Sequence, residues 1–183
     1  LAVAQSYPSK PIRIVVPFAA GGSLDTAARL ISLKMADALN QPVLVENRPG
    51  AAARIGEDAV AKAAPDGHTI LIDTSAITVR PAIYRKLPFD PAKDFIPVTQ
   101  LVVSTLILIA GHKFPATSIG ELIALAKSKP GSLNYGHAGV GSQGQLSMEL
   151  FKLRAGIDIV GIPYKGEAPI SVALITGEVD MAV

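Results

Sequence analysis

The 183-residue sequence contains no cysteine and no tryptophan, and only 5% of its residues are aromatic. The lack of cysteine excludes a disulfide framework, a thiolate zinc site and a cysteine nucleophile. So few aromatic rings argue against a surface that stacks bases or sugars. An excess of one charge is also missing, because 17 basic residues stand against 15 acidic ones. With no basic cluster, a nucleic-acid partner is not indicated.

Long hydrophobic runs are missing as well. The longest apolar stretch, residues 101–110, is interrupted by Ser104 and Thr105. It is far shorter than the roughly 20 residues that a membrane-spanning helix needs. Hydrophobic residues nevertheless make up 49% of the chain. That fraction argues against disorder and can fill one full core or two small ones.

Both ends of the sequence carry a signal. Ala2, Val3 and Ala4 have the small-x-small form of a signal-peptidase site, so we interpret residues 1–5 as a signal-peptide remnant and expect export. Residues 179–183 are typical of a strand, and the sequence stops inside it without a turn or a polar tail. We therefore expect the sequence to be part of a longer protein.

Apolar runs and helical periodicity alternate along the chain. In the first part we predict strands at residues 12–16, 43–45 and 69–73 and helices at residues 24–39 and 55–63. Asn40 is a plausible left-handed cap of the first helix. A proline-rich connection, residues 81–97, follows. This order is typical of an α/β fold with a parallel sheet.

The second part repeats the alternation. One or two strands are predicted at residues 101–110, and Ser118 with Glu121 forms a capping box that opens a helix to about residue 129. The remaining predictions are strands at residues 133–135, 157–162 and 179–183 and helices at residues 142–155 and from about residue 169. We interpret residues 6–100 as one α/β lobe and residues 101–183 as a second, incomplete one.

One local pattern occurs in both parts: an apolar strand, a glycine-rich turn, a serine at the helix cap, and a helix. We call residues 18–23 the first glycine turn and residues 136–141 the second glycine turn, with Ser23 and Ser142 as the capping serines. Glycines allow close backbone approach, and the first amides of a helix have no intrahelical partners and attract anions. Neither turn has the spacing of a nucleotide-binding loop, so a carboxylate is favoured over a nucleotide.

Two side chains near these turns admit two interpretations. Asp25, in the first turn of its helix, either interacts with the helix dipole or faces a ligand. His137 is either a solvated loop histidine, which we favour slightly, or a donor to a ligand. The three histidines are dispersed, so no metal site is expected.

Two further candidates lie late in the sequence. Lys165 contacts an anion or merely solvates the surface. Asp180 lies among apolar neighbours, where a carboxylate is costly unless it is paired. We expect it near the edge of a ligand cleft. A nucleophilic serine is disfavoured, because the sequence lacks a G-x-S-x-G motif and both glycine-turn serines serve as caps.

Several motifs together resemble the periplasmic solute-binding receptors of tripartite tricarboxylate transporters, the Bug or TctC-like family. They cover essentially all of the chain after residue 5. The motifs are PIRIVVPFAAGGS at residues 11–23 followed by Asp25, VENRPGA at 45–51, APDG at 64–67, LPFDP at 87–91 with Asp94 and Phe95, Tyr135 with Gly136, Ala138 with Gly139, Gly141 with Ser142, PYKG at 163–166 and GEVD at 177–180.

The resemblance implies a type II, Venus-flytrap fold of two α/β lobes with parallel-rich sheets flanked by helices. It implies a monomeric periplasmic receptor, not an enzyme, that needs no cofactor. Such a receptor binds a small carboxylate (a mono- or dicarboxylate, an amino acid or an aromatic acid) in an interlobe cleft. It then delivers the ligand to large and small membrane subunits.

The same resemblance implies a set of ligand-binding residues at the two glycine turns and after the third strand. These are Ala20, Gly21, Gly22, Ser23, Asp25, Thr74, Ser75, Ala138, Gly139 and Ser142. To them we add four candidates from the preceding analysis, namely His137, Tyr164, Lys165 and Asp180.

The sequence departs from the family pattern at two internal places. Relatives often read Pro-Gly-Ala-Gly-Gly-Asn where this chain has Ala52, Ala53 and Arg54, which puts any ligand contact there in doubt. Gln143 and Gln145 replace a Ser/Thr/His-rich helix opening. Two alternatives remain: the effector-binding domain of a transcription regulator, which would need an N-terminal helix-turn-helix, and an α/β enzyme, for which no base–nucleophile pair is evident.

Overall fold

The computed structural model describes residues 7–183. The predicted signal remnant, residues 1–5, lies outside the described residues. The chain divides into two compact units, the first ending at Val102 and the second running from Val103 to Val183. Each unit has its own parallel-rich sheet with helices, which confirms the predicted α/β class.

The first unit contains a three-stranded parallel sheet with the strand order β2-β1-β3. Its elements are β1 Ile12–Val16, α1 Ser23–Leu39, β2 Val43–Asn47, α2 Arg54–Ala61 and β3 Thr69–Leu71. A 3₁₀ helix, Ser75–Val79, and the short helix α3, Arg80–Ile83, follow. This unit therefore has the predicted strand–helix order, with an additional helical segment after β3.

The central strand β1 explains why this unit packs as it does. Ile12, Ile14 and Val16 are buried, and Ile14 and Val16 form a core with Ala28 of α1 and Ile72 after β3. The helix α1 ends at Asn40, whose φ of 49° is the predicted left-handed cap. The strand β1, which leads into the first glycine turn, thus lies between β2 and β3 and packs against α1.

The link between β2 and α2 is unusual in its backbone. Ala51, Ala52 and Ala53 have φ angles of 47°, 55° and 76°. For residues other than glycine the left-handed region costs about 1–2 kcal/mol each. Arg54 holds this link from its far end, since its Nε donates to the carbonyl of Ala51 at 2.9 Å.

The second unit contains a four-stranded sheet with the order β4-β7-β5-β6. Its elements are β4 Ile109–Ala110, α4 Ile119–Ser128, β5 Asn134–His137, α5 Gln143–Ala155, β6 Val160–Pro163, α6 Glu167–Thr176 and β7 Met181–Ala182. Only β4 pairs antiparallel, with β7. The apolar core includes Leu122, Tyr135, Met148, Ile159 and Met181.

Three predicted segments differ in extent from those of the structure. Of residues 101–110, predicted to hold one or two strands, only Ile109–Ala110 forms a strand, because the preceding apolar residues have no strand beside them and are mostly exposed. Pro81, predicted to begin an irregular connection, lies in the first turn of α3, where proline needs no hydrogen-bond donor. The second glycine turn begins later than predicted, since β5 continues to His137.

None of the helices within residues 7–183 has the length and apolar character required to cross a membrane.

Candidate functional site

The first glycine turn connects the carboxyl end of β1 to the amino end of α1. Gly21 has a φ of 88°, a conformation that favours glycine. The prediction that Ser23 caps α1 was wrong, because the extended residue before the helix is Gly22 and Ser23 is its first helical residue. The structure thus places Gly22 and Ser23 at the positive end of the α1 dipole, with Ala20 exposed just before them.

Asp25 holds this turn from inside. Its side chain is only 4% exposed, and its Oδ2 accepts the N–H of Gly21 at 2.9 Å. Arg29 and Asn47 also donate to the carboxylate, at 3.0 and 2.9 Å. The Arg29 guanidinium lowers the pKa of Asp25 to about 2, against the opposing effect of burial. These contacts support the structural interpretation of Asp25, and direct contact with a ligand stays a prediction.

Arg29 and Asn47 are functional neighbours that sequence reasoning missed. Arg29 Nη2 donates to Asn47 Oδ1 at 3.1 Å, and Asn47 Nδ2 donates to the carbonyl of Phe18 at 3.2 Å. The pairing of Asp25 with Arg29 was available from the i, i+4 spacing on a helix. The role of Asn47 was not, because it depends on β2 pairing alongside β1.

The second glycine turn follows β5 in the same way. Gly139 and Gly141 have φ angles of 106° and 81°. Ser142 is the N-cap of α5, and its Oγ accepts the N–H of Gln145 at 3.4 Å, which confirms the predicted capping serine. Gln145 Oε1 in turn accepts the N–H of Gly141 at 2.6 Å. As in the first turn, the third helical residue holds the glycine that precedes the cap.

His137 is the last residue of β5 and is only 2% exposed, so its interpretation as a solvated loop histidine was wrong. Burial lowers the pKa of the imidazole, which favours the neutral ring. The N–H of Gly139 donates to Nδ1 at 3.2 Å. A neutral ring that accepts at Nδ1 carries its proton on Nε2. His137 therefore orients one amide of the second turn.

Thr74 and Ser75 follow β3 after two intervening residues. Thr74 caps the 3₁₀ helix, because its Oγ1 accepts the N–H of Ala76 at 3.3 Å. Ser75 is exposed as the first residue of that helix. Since β3 lies beside β1 and runs parallel to it, these residues lie at the same sheet edge as the first glycine turn.

The remaining candidates divide between the two edges of the second sheet. Tyr164 and exposed Lys165 follow β6, beside the second glycine turn, and the Tyr164 N–H donates to the carbonyl of His137 at 2.8 Å. Burial and Glu178, the acceptor of its hydroxyl at 2.8 Å, raise the pKa of Tyr164 to about 12. Asp180 instead precedes β7 and pairs with Asn134, at 2.8 and 2.9 Å, at the opposite edge. The structure does not bring Asp180 to the turn.

Each unit thus presents one glycine turn at the carboxyl edge of its sheet, joined by a second polar segment from a neighbouring strand. Backbone amides at a helix amino end are suited to a carboxylate or another small anion. Among the described residues, no group of three or more histidine or acidic side chains is arranged to hold a metal ion.

Comparison with known proteins gives a consistent result. The sequence profile described as tripartite tricarboxylate transporter family receptor matches residues 27–183. A UPF0065 protein of Bordetella pertussis is 42% identical over 180 residues, which are 98% of this chain and 55% of that protein. The chain therefore spans about half the length of the curated relatives it matches.

Solved structures agree with the sequence matches. The malate-bound MatC of Rhodopseudomonas palustris is 38% identical, with a TM-score of 0.87, and the match covers 96% of this chain and 60% of MatC. An R. palustris protein with adipate is 37% identical with a TM-score of 0.85, covering 96% and 59%. The periplasmic binding protein BugD is 33% identical with a TM-score of 0.85, covering 96% and 58%.

Proposed function

Because the chain belongs to the tripartite tricarboxylate transporter receptor family, we propose that it is part of a periplasmic receptor for a small carboxylate. The observation that carries this proposal is the shared construction of the two glycine turns. In each turn, a side chain at the third helical position accepts the N–H of the glycine before the cap. The turn is thereby held in shape before any ligand binds, which lowers the entropic cost of binding.

The ligand class that fits best is a short dicarboxylate. The neighbours with bound malate and adipate carry ligands with two carboxylate groups. Two helix amino ends, one in each unit, provide two places where amide donors and a helix dipole favour negative charge. In this proposal each glycine turn supplies an environment suited to a carboxylate group.

We assign the contacts by their place in the fold. Residues 20–23 line the ligand in the first unit, assisted by Thr74 and Ser75 from the neighbouring strand end. Residues 138–143 line it in the second unit, with Tyr164 and Lys165 beside them. The N–H groups of Gly21, Gly139 and Gly141 are held by internal acceptors and shape the turns instead of donating to the ligand. In this scheme Asp25 and His137 act as positioning residues, because each holds a glycine amide of its turn. The receptor would deliver its ligand to the membrane subunits of a tripartite transporter.

A proline scan of helix starts tests the backbone contacts. Ser23 and Gln143 are the first residues of α1 and α5. Proline is tolerated at this position, and the preceding Gly22 and Ser142 already have the extended backbone that proline requires. Ser23→Pro and Gln143→Pro therefore delete one amide donor each while keeping the helix.

Isothermal titration with malate and adipate measures the effect. We expect each proline variant to bind about tenfold more weakly or worse, because a hydrogen bond to a charged group contributes about 1.5–3 kcal/mol. Ser23→Ala and Gln143→Ala control for the lost side chains. Ile119→Pro, at the start of α4 after an extended Ser118, controls for proline itself and should leave the affinity unchanged. Unaltered affinities in both turn variants would refute the assignment.

A further inference from the structure

The first unit contains a cluster of three ionisable side chains at residues 73–80, which we call the Thr74 segment, and at the neighbouring helix α2. Glu57 of α2 is 0% exposed and Arg80 of α3 is 1% exposed. Arg80 Nε donates to Glu57 Oε1 at 2.6 Å. Asp73, which directly precedes Thr74, completes the cluster from the sheet edge. Three separate elements therefore meet at these side chains.

The hydrogen bonding of this cluster is incomplete with all groups ionised. Glu57 Oε2 and Asp73 Oδ2 are both buried, and no protein group donates to either of them. Nη1 of Arg80 likewise lacks an acceptor. An ionised carboxylate can only accept hydrogen bonds. Two carboxylates beside one guanidinium would also leave an uncompensated negative charge in the interior, which is costly.

A proton on one carboxyl group would partner the carboxylate oxygens and remove the excess negative charge, although it gives Arg80 Nη1 no acceptor. A protonated carboxyl is a hydrogen-bond donor, so one proton between Asp73 and Glu57 would partner both orphaned oxygens. It would also make the cluster neutral. Burial, and next to it the Glu57 carboxyl group, raise the pKa of Asp73 well above its ordinary value. The groups that act on Asp73 are Glu57 from α2, Arg80 from α3 and the N–H of Thr74.

We propose that Asp73 retains a proton that it shares with Glu57, and that this proton positions Thr74 and Ser75 for the ligand. Asp73 Oδ1 accepts the N–H of Thr74 at 2.7 Å, so the orientation of Asp73 sets where the segment leaves the sheet. Arg80 begins the helix that ends the segment. Glu57 thus ties both ends of residues 73–80 together. Asp73 is a positioning residue in this scheme, and its effect on affinity rests on the proposed carboxylate-binding function.

The shared proton makes the segment sensitive to a rise in pH. Asp73 titrates near 3.9 in an unfolded chain and higher in the folded one. Its contribution to stability is therefore complete below that value and is lost as the pH rises through the folded pKa. Deprotonation would repel Glu57 and release the Thr74 segment. Malate affinity is expected to fall over the same pH interval.

Asp73→Asn separates the proton from the geometry. An asparagine amide still accepts the Thr74 N–H through its oxygen and donates to Glu57 through its nitrogen, yet it does not titrate. Asp73→Ala removes both contacts. Asp37→Asn, at an exposed position on α1, loses the same charge elsewhere and serves as the matched control.

Three measurements on the purified full chain test the proposal. Carboxyl-detected NMR titration should show Asp73 protonated well above the ordinary range. Asp73→Asn should bind malate like the unmodified protein at low pH but lose the decrease in affinity with rising pH, whereas Asp73→Ala should bind about tenfold more weakly, equivalent to about 1.4 kcal/mol. Asp37→Asn should reproduce the unmodified pH profile.

The outcomes distinguish this inference from the proposed function. An Asp73 that titrates at an ordinary carboxyl pKa, or a decrease in stability over the Asp73 titration interval that survives in Asp73→Asn, would overturn the shared proton even if malate binds. An intact proton signature without any malate or adipate binding would instead leave the cluster standing and refute the ligand assignment. Equal affinities of the alanine and asparagine variants would refute the positioning role.

Discussion

In the first unit the N–H of Gly21 is held by the carboxylate of Asp25, whereas in the second unit the N–H of Gly141 is held by the side-chain amide of Gln145. The backbone geometry that results is similar, with φ angles of 88° and 81° at the two glycines. The chemistry is not: the first turn depends on a buried charge with an arginine partner, and the second uses only neutral groups.

This difference extends to the surroundings. The first unit buries Glu57 and Arg80 near its candidate site, whereas the core of the second unit is an apolar cluster around Met148 and Ile159. A buried charged contact stabilises the fold while both partners are present. Removing one partner leaves the other charge unpaired, which is strongly destabilising. The neutral contact of Gln145 contributes less, and Gln145 does not titrate. The comparison predicts that single substitutions affect the Asp25 contact more than the Gln145 contact, and that acid weakens the contact of Asp25 but not that of Gln145.

The largest expected effect is at Arg80. Arg80→Met should lower the free energy of unfolding by about 3–5 kcal/mol, because removing one partner leaves Glu57 charged and buried. Urea denaturation followed by circular dichroism measures this. Arg154→Met, an exposed arginine at the end of α5, should change stability by less than about 0.5 kcal/mol. Equal losses of stability in Arg80→Met and Arg154→Met would contradict this role of Arg80.

The next effect compares the two side chains that hold the glycine amides, Asp25 and Gln145. Asp25→Ala should cost about 2 kcal/mol, because Gly21, Arg29 and Asn47 all lose an acceptor, and hydrogen bonds to charged groups contribute about 1.5–3 kcal/mol. Gln145→Ala removes a neutral acceptor and should cost about 1 kcal/mol. Thermal denaturation of both variants gives the ranking, and the reverse order would contradict it.

Acid should sharpen the same contrast. The pKa of Asp25 is lowered from 3.8 to about 2, so its contribution is present above the unfolded value and is lost as the pH falls through about 2. Unmodified protein should lose about 2 kcal/mol more than Asp25→Asn between about pH 4 and pH 2. Gln145→Ala should follow the unmodified pH profile, since no titrating group is removed. Identical acid profiles for Asp25→Asn and the unmodified chain would contradict this role.

The smallest effect concerns the capping serine. Ser142→Ala should cost about 0.5–1 kcal/mol through the lost contact with the Gln145 N–H. Ser118→Ala, which removes an equivalent cap on α4 outside the candidate site, should cost about as much. Only Ser142→Ala should also weaken malate binding, as measured by titration. If both variants leave malate affinity unchanged, Ser142 is a cap and nothing more.

Local patterns in the sequence predicted the features that depend on neighbours along the chain. The strand Ile12–Val16 was predicted to the residue, because prolines flank a β-branched run. The cap at Asn40 and the capping serine Ser142 followed from helix-end chemistry. Residues 101–108 show the limit of this approach: an apolar run becomes a strand only where a sheet edge accepts it.

The features that remained hidden depend on contacts between distant segments. Glu57, Asp73 and Arg80 lie in three different elements, and no spacing rule brings them together before the sheet order is known. Asn47 is similar, because its contact with Asp25 requires β2 to lie beside β1. The buried state of His137 followed from β5 continuing beyond the predicted end of the strand. Pattern reading located both turns, but not the side chains that brace them.

The three alanines at residues 51–53 bear on how much further change the protein tolerates. Each adopts a left-handed backbone conformation that costs glycine little. Replacing one of these alanines by glycine is therefore expected to increase the free energy of unfolding. Replacing Ala52 by glycine would remove part of that strain without touching either turn. A chain so relieved should withstand a damaging substitution elsewhere that the present one does not. The link is therefore the natural starting point for laboratory evolution of new ligand preferences.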